Sequence, residues 1–249
     1  MSGHSKWATT KHQKGAKDKA RGKLFAKLIR QVEVAAREGG GDLSANATLR
    51  TMVQKARDAS VPLDTIERAV KRGTGELEGV RYEAVSYEGY APSGVAVIVE
   101  VLTDNRNRTG AEVRSLFSRN GGSMAEPGAV SWQFERRGVV AVARSAAEDD
   151  LMAAGLDAGA EDLRDDGDAW TLLSQPTDLQ RLRAALEDAG FEVRLAELQM
   201  VPTTTVEIAE EGSARKVLHL LDLLEDHDDV QNVYANFEIP DDVLETVSA

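Results

Sequence analysis

Residues 138–174 read GVVAVARSAAEDDLMAAGLDAGAEDLRDDGDAWTLLS, and their apolar spacing changes three times. Val139 to Ala143 is a short apolar run of strand length, and helical spacing follows near Ala146 to Ala158. Strand-like runs return near Glu161 to Leu163 and Ala169 to Leu173, across the turn-forming Asp165-Asp166-Gly167-Asp168. Continuing outward, Asp178 to Ala189 is helical in period and Glu192 to Leu198 is strand-like. The order β-α-β-β-α-β over 138–199 is that of a ferredoxin-like unit.

On its N-terminal side lie two strand-like runs, Tyr82 to Gly89 and Val95 to Leu102, joined by Tyr90-Ala91-Pro92-Ser93-Gly94 as a β-hairpin. A helix carrying Ala111, Val113, Leu116 and Phe117 ends at Gly121-Gly122, and a short strand is expected at Val130 to Phe134. On the C-terminal side, Thr204 to Ile208, a Leu-rich helix (Val217, Leu220, Leu221, Leu224) and Val230 to Phe237 supply the α and β elements that the first β-β-α-β unit lacks. The ferredoxin-like unit is therefore read as an insertion in a domain that resumes near residue 200.

Before the hairpin, three amphipathic helices are marked by Leu24, Phe25, Leu28, Ile29 and Val32, then Leu49, Met52, Val53 and Ala56, then Leu63, Ile66, Ala69 and Val70. Gly39-Gly40-Gly41 and Gly73 close the first and third. The expected fold class is α+β with three domains. These are a basic arm and three-helix domain at 1–76, a central domain at 77–137 plus 200–249, and the inserted acidic domain at 138–199. Both sheet domains are expected to be ferredoxin-like α/β sandwiches.

The 249 residues are 42% hydrophobic with six prolines and no cysteine. That composition builds ordinary cores and excludes disulfides, thiolate metal sites and thiol catalysis. No run approaches the roughly 18 apolar residues of a membrane span, and no signal-peptide core stands at the N-terminus. A soluble cytoplasmic protein with no membrane partner is expected.

Charge is distributed unevenly. The first thirty residues hold Lys6, Lys11, Lys14, Lys17, Lys19, Arg21, Lys23, Lys27 and Arg30 against Asp18 alone, a charge of +8 in a chain whose net charge is −12. Residues 145–249 carry −20. A basic end on an acidic body points to a polyanion, and nucleic acid is the commonest one. Residues 1–23 contain one large apolar side chain, Trp7, which stacks on a base or packs on the helical unit. If six of these cations neutralised phosphates, affinity would fall roughly a thousandfold between about 50 and 200 mM salt.

Lys55, Arg57, Arg68, Lys71 and Arg72 extend the positive surface as secondary candidates, with Asp58, Asp64 and Glu67 near enough to neutralise some of them. In Thr103-Asp104-Asn105-Arg106-Asn107-Arg108-Thr109, a strand-to-helix junction, Arg106 and Arg108 are candidate phosphate ligands. The same string also suits capping, with Thr109 and Glu112 at capping-box spacing. Tyr87 and Tyr90 are expected to pack rather than stack on bases. Residues 120–128 form a glycine-rich loop. His219 and His227, among Asp222, Glu225 and Asp226, read as a solvated helix face, and neither a metal nor any other cofactor is expected. There is no Walker sequence, GxSxG elbow, HExxH or dinucleotide fingerprint.

Gly3-His4-Ser5-Lys6-Trp7, Arg21-Gly22-Lys23-Leu24-Phe25, Tyr87-Glu88-Gly89-Tyr90, Thr103 to Thr109 and Asn120-Gly121-Gly122 occur in this order along the chain. Together they resemble the YebC/PmpR family. Ala20 departs from the pattern, which has a basic residue beside Arg21-Gly22-Lys23. The resemblance implies a three-domain protein around a shared cleft that acts without catalysis. It implies either a DNA-binding transcriptional regulator or, as in mitochondrial relatives and ribosome-associated bacterial ones, a translation factor contacting ribosomal RNA. A third expectation is a scaffold whose acidic domain binds basic proteins. A monomer is expected.

Overall fold

The computed structural model describes residues 19–248. Three helices come first: α1 (Lys19–Gly39), α2 (Ala47–Asp58) and α3 (Leu63–Gly73). Leu28, Val32, Ala35 and Ala36 of α1 meet Leu49, Val53 and Ala56 of α2 and Ile66 and Ala69 of α3, all buried. The i, i+4, i+7 spacing of the first set turns one stripe of α1 into the core. Asn46 builds the corner. Its side-chain oxygen accepts from Leu49 N at 2.9 Å and caps α2, while its amide donates to Ala35 O and Gly40 O, each at 2.8 Å. A Cβ at Gly39 would stand 2.5 Å from Asn46 Nδ2, so the residue that ends α1 must be small.

The central domain contains β1 (Glu83–Tyr90), β2 (Ala96–Thr103), α4 (Arg106–Arg119) and β3 (Ser123–Ala125). The inserted unit follows as β4 (Phe134–Ala143), α5 (Glu148–Leu156), β5 (Ala160–Asp165), β6 (Ala169–Ser174), α6 (Leu179–Asp188) and β7 (Val193–Pro202). The chain then returns through β8 (Val206–Glu207), α7 (Glu211–Glu225), β9 (Val230–Ala235), β10 (Phe237–Glu238) and α8 (Asp241–Ser248).

The inserted sheet is antiparallel in the order β5-β6-β4-β7, the ferredoxin-like order, with α5 and α6 packed on one face through Leu151, Leu182 and Leu186. Its two long strands pair from Phe134↔Pro202 onward, so the sheet reaches beyond 138–199 at both ends. The central sheet is also a two-layer α/β sandwich, but its order is β3-β1-β2-β9, with the hairpin in the middle. Val97, Val99 and Val101 pack on Val113 and Phe117 of α4 and on Leu220, Leu221 and Leu224 of α7. The third strand of that first unit is Ser123–Ala125, within the expected loop. Residues 131–133 form a 3₁₀ turn, and Phe134 opens β4 instead of closing a strand.

Glu88 shapes that turn. Its buried carboxylate accepts from Gly128 N, Val130 N and Ser131 N at 2.8, 2.7 and 2.9 Å. Burial pushes the carboxyl up, and the three N–H donors outweigh it, holding the group below its ordinary value of 4.5. A cleft of about 780 Å³ lies among the three domains, walled by Gln31, Lys55, Glu100, Tyr234, Leu179 and Glu197. No helix among the described residues is long and apolar enough to cross a membrane.

Candidate nucleic-acid interface

Of the expected arm, Lys6, Trp7, Lys11, Lys14 and Lys17 lie outside the described residues, and Lys19 opens α1. Arg21 is exposed, its guanidinium 5.3 Å from the centre of the Phe25 ring. Lys23, Lys27 and Arg30 share one face of α1, and that face meets the C-terminal end of α7. Lys23 Nζ donates to Asp226 O at 2.9 Å, Lys27 Nζ to Glu225 O at 2.6 Å, and Arg30 Nη1 to Asp228 O at 2.5 Å. The last carbonyls of a helix lack intrahelical donors and carry its negative dipole end, so Lys27 and Lys23 on Glu225 O and Asp226 O satisfy both needs, while Arg30 holds the turn just beyond. They join the helical domain to the central one. Burial lowers the Lys27 ammonium, and Glu225 partly offsets it.

Asp229, 6% exposed, organises the rest of this junction. Its carboxylate accepts from Arg108 Nη2 and Thr109 Oγ1, both at 2.7 Å, and lies 3.4 Å from Arg30 Nη1. Burial raises this carboxyl, while the Thr109 hydroxyl and the Arg108 guanidinium draw it below its ordinary 3.8. Asp229 N–H donates to His227 Nδ1 at 3.1 Å, and His227 Nε2 meets Glu112 Oε2 at 2.8 Å. Glu112, His227 and Asp229 thus have ligand-type atoms within 4.8 Å of one another, but hydrogen bonds occupy them and Arg108 and Arg30 supply positive charge beside them. The cluster is an ion-pair network. His219 stands apart on the exposed face of α7.

The Thr103–Thr109 string therefore divides its duties. Asn105, not Thr109, is the N-cap, accepting from Arg108 N at 3.0 Å. Thr109 is buried and bonds Thr103 Oγ1 at 2.7 Å. Arg108 is paired with Asp229 and Asp104, whereas Arg106 is exposed and forms no ion pair among the described residues. Arg106 instead lines a shallow groove on α4 together with Arg114, which nothing in the sequence had singled out; only its i+8 spacing from Arg106 marked it.

The secondary candidates divide in the same way. Lys55 pairs with Glu197 of β7, Arg68 with Asp64 at 2.7 Å, and Arg72 with the buried Glu33 at 2.9 Å. Arg57 and Lys71 are exposed without an ion pair among the described residues. Tyr87 and Tyr90 pack, donating to Arg106 O at 3.1 Å and Ala129 O at 3.2 Å. Trp132, 71% exposed beside the Glu88-held turn, is an aromatic that strand-like reading had placed in a sheet.

Two family models match the chain: the TACO1/YebC protein N-terminal domain over residues 5–76, and the TACO1/YebC second and third domain over 82–237. A probable transcriptional regulatory protein of Beutenbergia cavernae is 59% identical over 247 residues, covering 98% of each chain. One from Thermobifida fusca is 56% identical over the whole of both chains. Among solved structures, a conserved hypothetical protein of Aquifex aeolicus superposes with a TM-score of 0.83 at 45% identity, covering 90% of this chain and 93% of that one. With matches over nearly its full length in sequence and in fold, the chain belongs to the TACO1/YebC family.

Proposed function

We propose that this chain is a non-enzymatic, nucleic-acid-binding regulator of gene expression of the YebC type, working as a DNA-binding transcriptional regulator. The observation that carries this reading is the concentration of positive charge at one end of an acidic chain: +8 within thirty residues against −12 overall. Names of the relatives agree with it, since they are called probable transcriptional regulatory proteins.

The phosphate contacts fall to Lys6, Lys11, Lys14, Lys17 and Lys19 of the arm, together with Arg21, Arg57, Lys71 and Arg106, which the fold leaves exposed. Lys23, Lys27 and Arg30 hold the helical and central domains together, and Arg108 is paired with Asp229 inside the central domain. Lysines attract phosphate without reading sequence, so affinity is salt-dependent and base discrimination modest.

Ribosomal RNA is the second target the surface suits. The exposed face of α3 mixes Asp64 and Glu67 with Arg68 and Lys71, and this does not present the base-reading residues of a major-groove recognition helix. Binding to a random duplex, to the promoter-proximal DNA of regulated genes and to purified ribosomes at near-physiological salt separates the two. Sequence-selective duplex binding supports the transcriptional role. Ribosome binding with only weak, sequence-blind DNA binding replaces it with a translational one.

A further inference from the structure

We propose that the groove along α4 is a second phosphate-binding site, one that grips the phosphodiester backbone of a bound nucleic acid apart from the N-terminal arm; this rests on the function proposed above. Arg106, Asn107, Gly110, Arg114, Ser115 and Ser118 come from one face of α4, at i, i+1, i+4, i+8, i+9 and i+12, and Tyr87 and Met124 form the floor. The groove measures about 520 Å³ and has no carboxylate in its lining. In a chain with 42 acids against 30 bases, a groove that collects two arginines, an amide and two hydroxyls while excluding every acid has a defined preference for anions.

Local energetics point the same way. The first turn of α4 has no acidic residue and carries two arginines, which oppose the positive end of the helix dipole. Arg108 is repaid by Asp229, but Arg106 has no ion pair among the described residues. An anion supplied from outside would complete it. Arg114 lies two turns further along, about 12 Å by the helical rise, a distance that covers roughly three to four phosphates of one strand at about 3.4 Å of axial rise each.

The floor suits a backbone as well. A Cβ at Gly110 would approach Tyr87 Oη at 3.1 Å, so glycine there lets the tyrosine sit tight against the helix and leaves the groove shallow. Tyr87 is itself fixed by its bond to Arg106 O. Serines and an asparagine donate to phosphate oxygens without selecting a base, so the site adds affinity and register rather than sequence readout.

The test is the salt dependence of binding of the full-length protein to fluorescent poly(U) and to a random-sequence DNA duplex. An R106Q/R114Q double variant is compared with wild type and with R215Q, which removes an arginine paired with Glu211 on α7. Thermal unfolding of each variant verifies that the fold is kept. The expected result is a slope of log K against log salt reduced by about 1.4 (single strand) to 1.8 (duplex) in R106Q/R114Q and unchanged in R215Q. The probe whose loss reaches its own expected value, about 1.4 for poly(U) or about 1.8 for the duplex, identifies the kind of strand the groove takes. If wild type binds both probes with a steep slope that the double variant preserves, the groove proposal fails and the proposed function stands. If wild type binds neither, both fail together.

Discussion

Arg30→Met separates a domain clamp from a phosphate contact. The substitution keeps the apolar stem and removes the guanidinium, and with it the bond to Asp228 O at 2.5 Å, the approach to Asp229 at 3.4 Å and the stacking 5.4 Å from the Tyr82 ring centre. A hydrogen bond involving a charged group is worth about 1.5–3 kcal/mol, a cation–π contact about 0.5–1, and the helix-dipole interaction about 0.3–1. These overlap on one side chain that is about one-fifth exposed, so a net loss of about 2 kcal/mol is expected. For a chain of this size the shift is roughly 4–8 °C in melting temperature. Differential scanning calorimetry gives that shift, and titration with duplex DNA at several salt concentrations gives the slope. The expected outcome is the melting shift with an unchanged slope. An unchanged melting temperature with a slope reduced by about 0.9 would refute the clamp and return Arg30 to the phosphate-binding set.

Three further outcomes follow from the packing. Glu88→Gln places an amide NH₂ against at least one of three backbone N–H donors and removes the charge they solvate; urea unfolding at neutral pH should show a loss of about 2–3 kcal/mol. Glu88 and Asp229 are both held below their ordinary values of 4.5 and 3.8, so their contribution is complete above those values and is lost as pH falls through the lower folded-state ones. A stability profile from pH 7 to 2 should therefore decline at its acid end, less steeply in Glu88→Gln. Gly73→Ala would put a Cβ 2.4 Å from Glu33 O and 2.7 Å from Ala36 Cβ, forcing α1 and α3 apart at a cost of about 1–3 kcal/mol, measurable by the same denaturation.

The order of elements was legible because each has its own period. The six-element insertion stands out at 138–199, and α1, α2 and α3 each show an apolar stripe that the structure buries. Short and irregular pieces were not legible. Ser123–Ala125 is three residues long and owes its strand character to pairing with Glu88–Tyr90, while Val130 is apolar because it is buried behind a turn held by Glu88. The order of the central sheet depends on β9, more than 125 residues away in sequence from the strand it joins.

Charge showed the same limit. A run of lysines and arginines is visible in the sequence, but which of them face solvent is set by partners far along the chain. Lys23, Lys27 and Arg30 find theirs some 200 residues later, at the end of α7, and Arg108 finds Asp229. Arg106 and Arg108 are chemically alike and two positions apart, and only the fold divides them.

Competition binding of the intact chain and of a variant lacking residues 1–18, against duplex DNA and purified ribosomes at near-physiological salt, shows whether the basic arm binds nucleic acid. That truncation spares the α1–α7 clamp, so the fold is kept while the arm is lost. The expected result is salt-sensitive binding to nucleic acid that falls at least tenfold without the arm. Equal binding by both forms, or binding by neither, would contradict it.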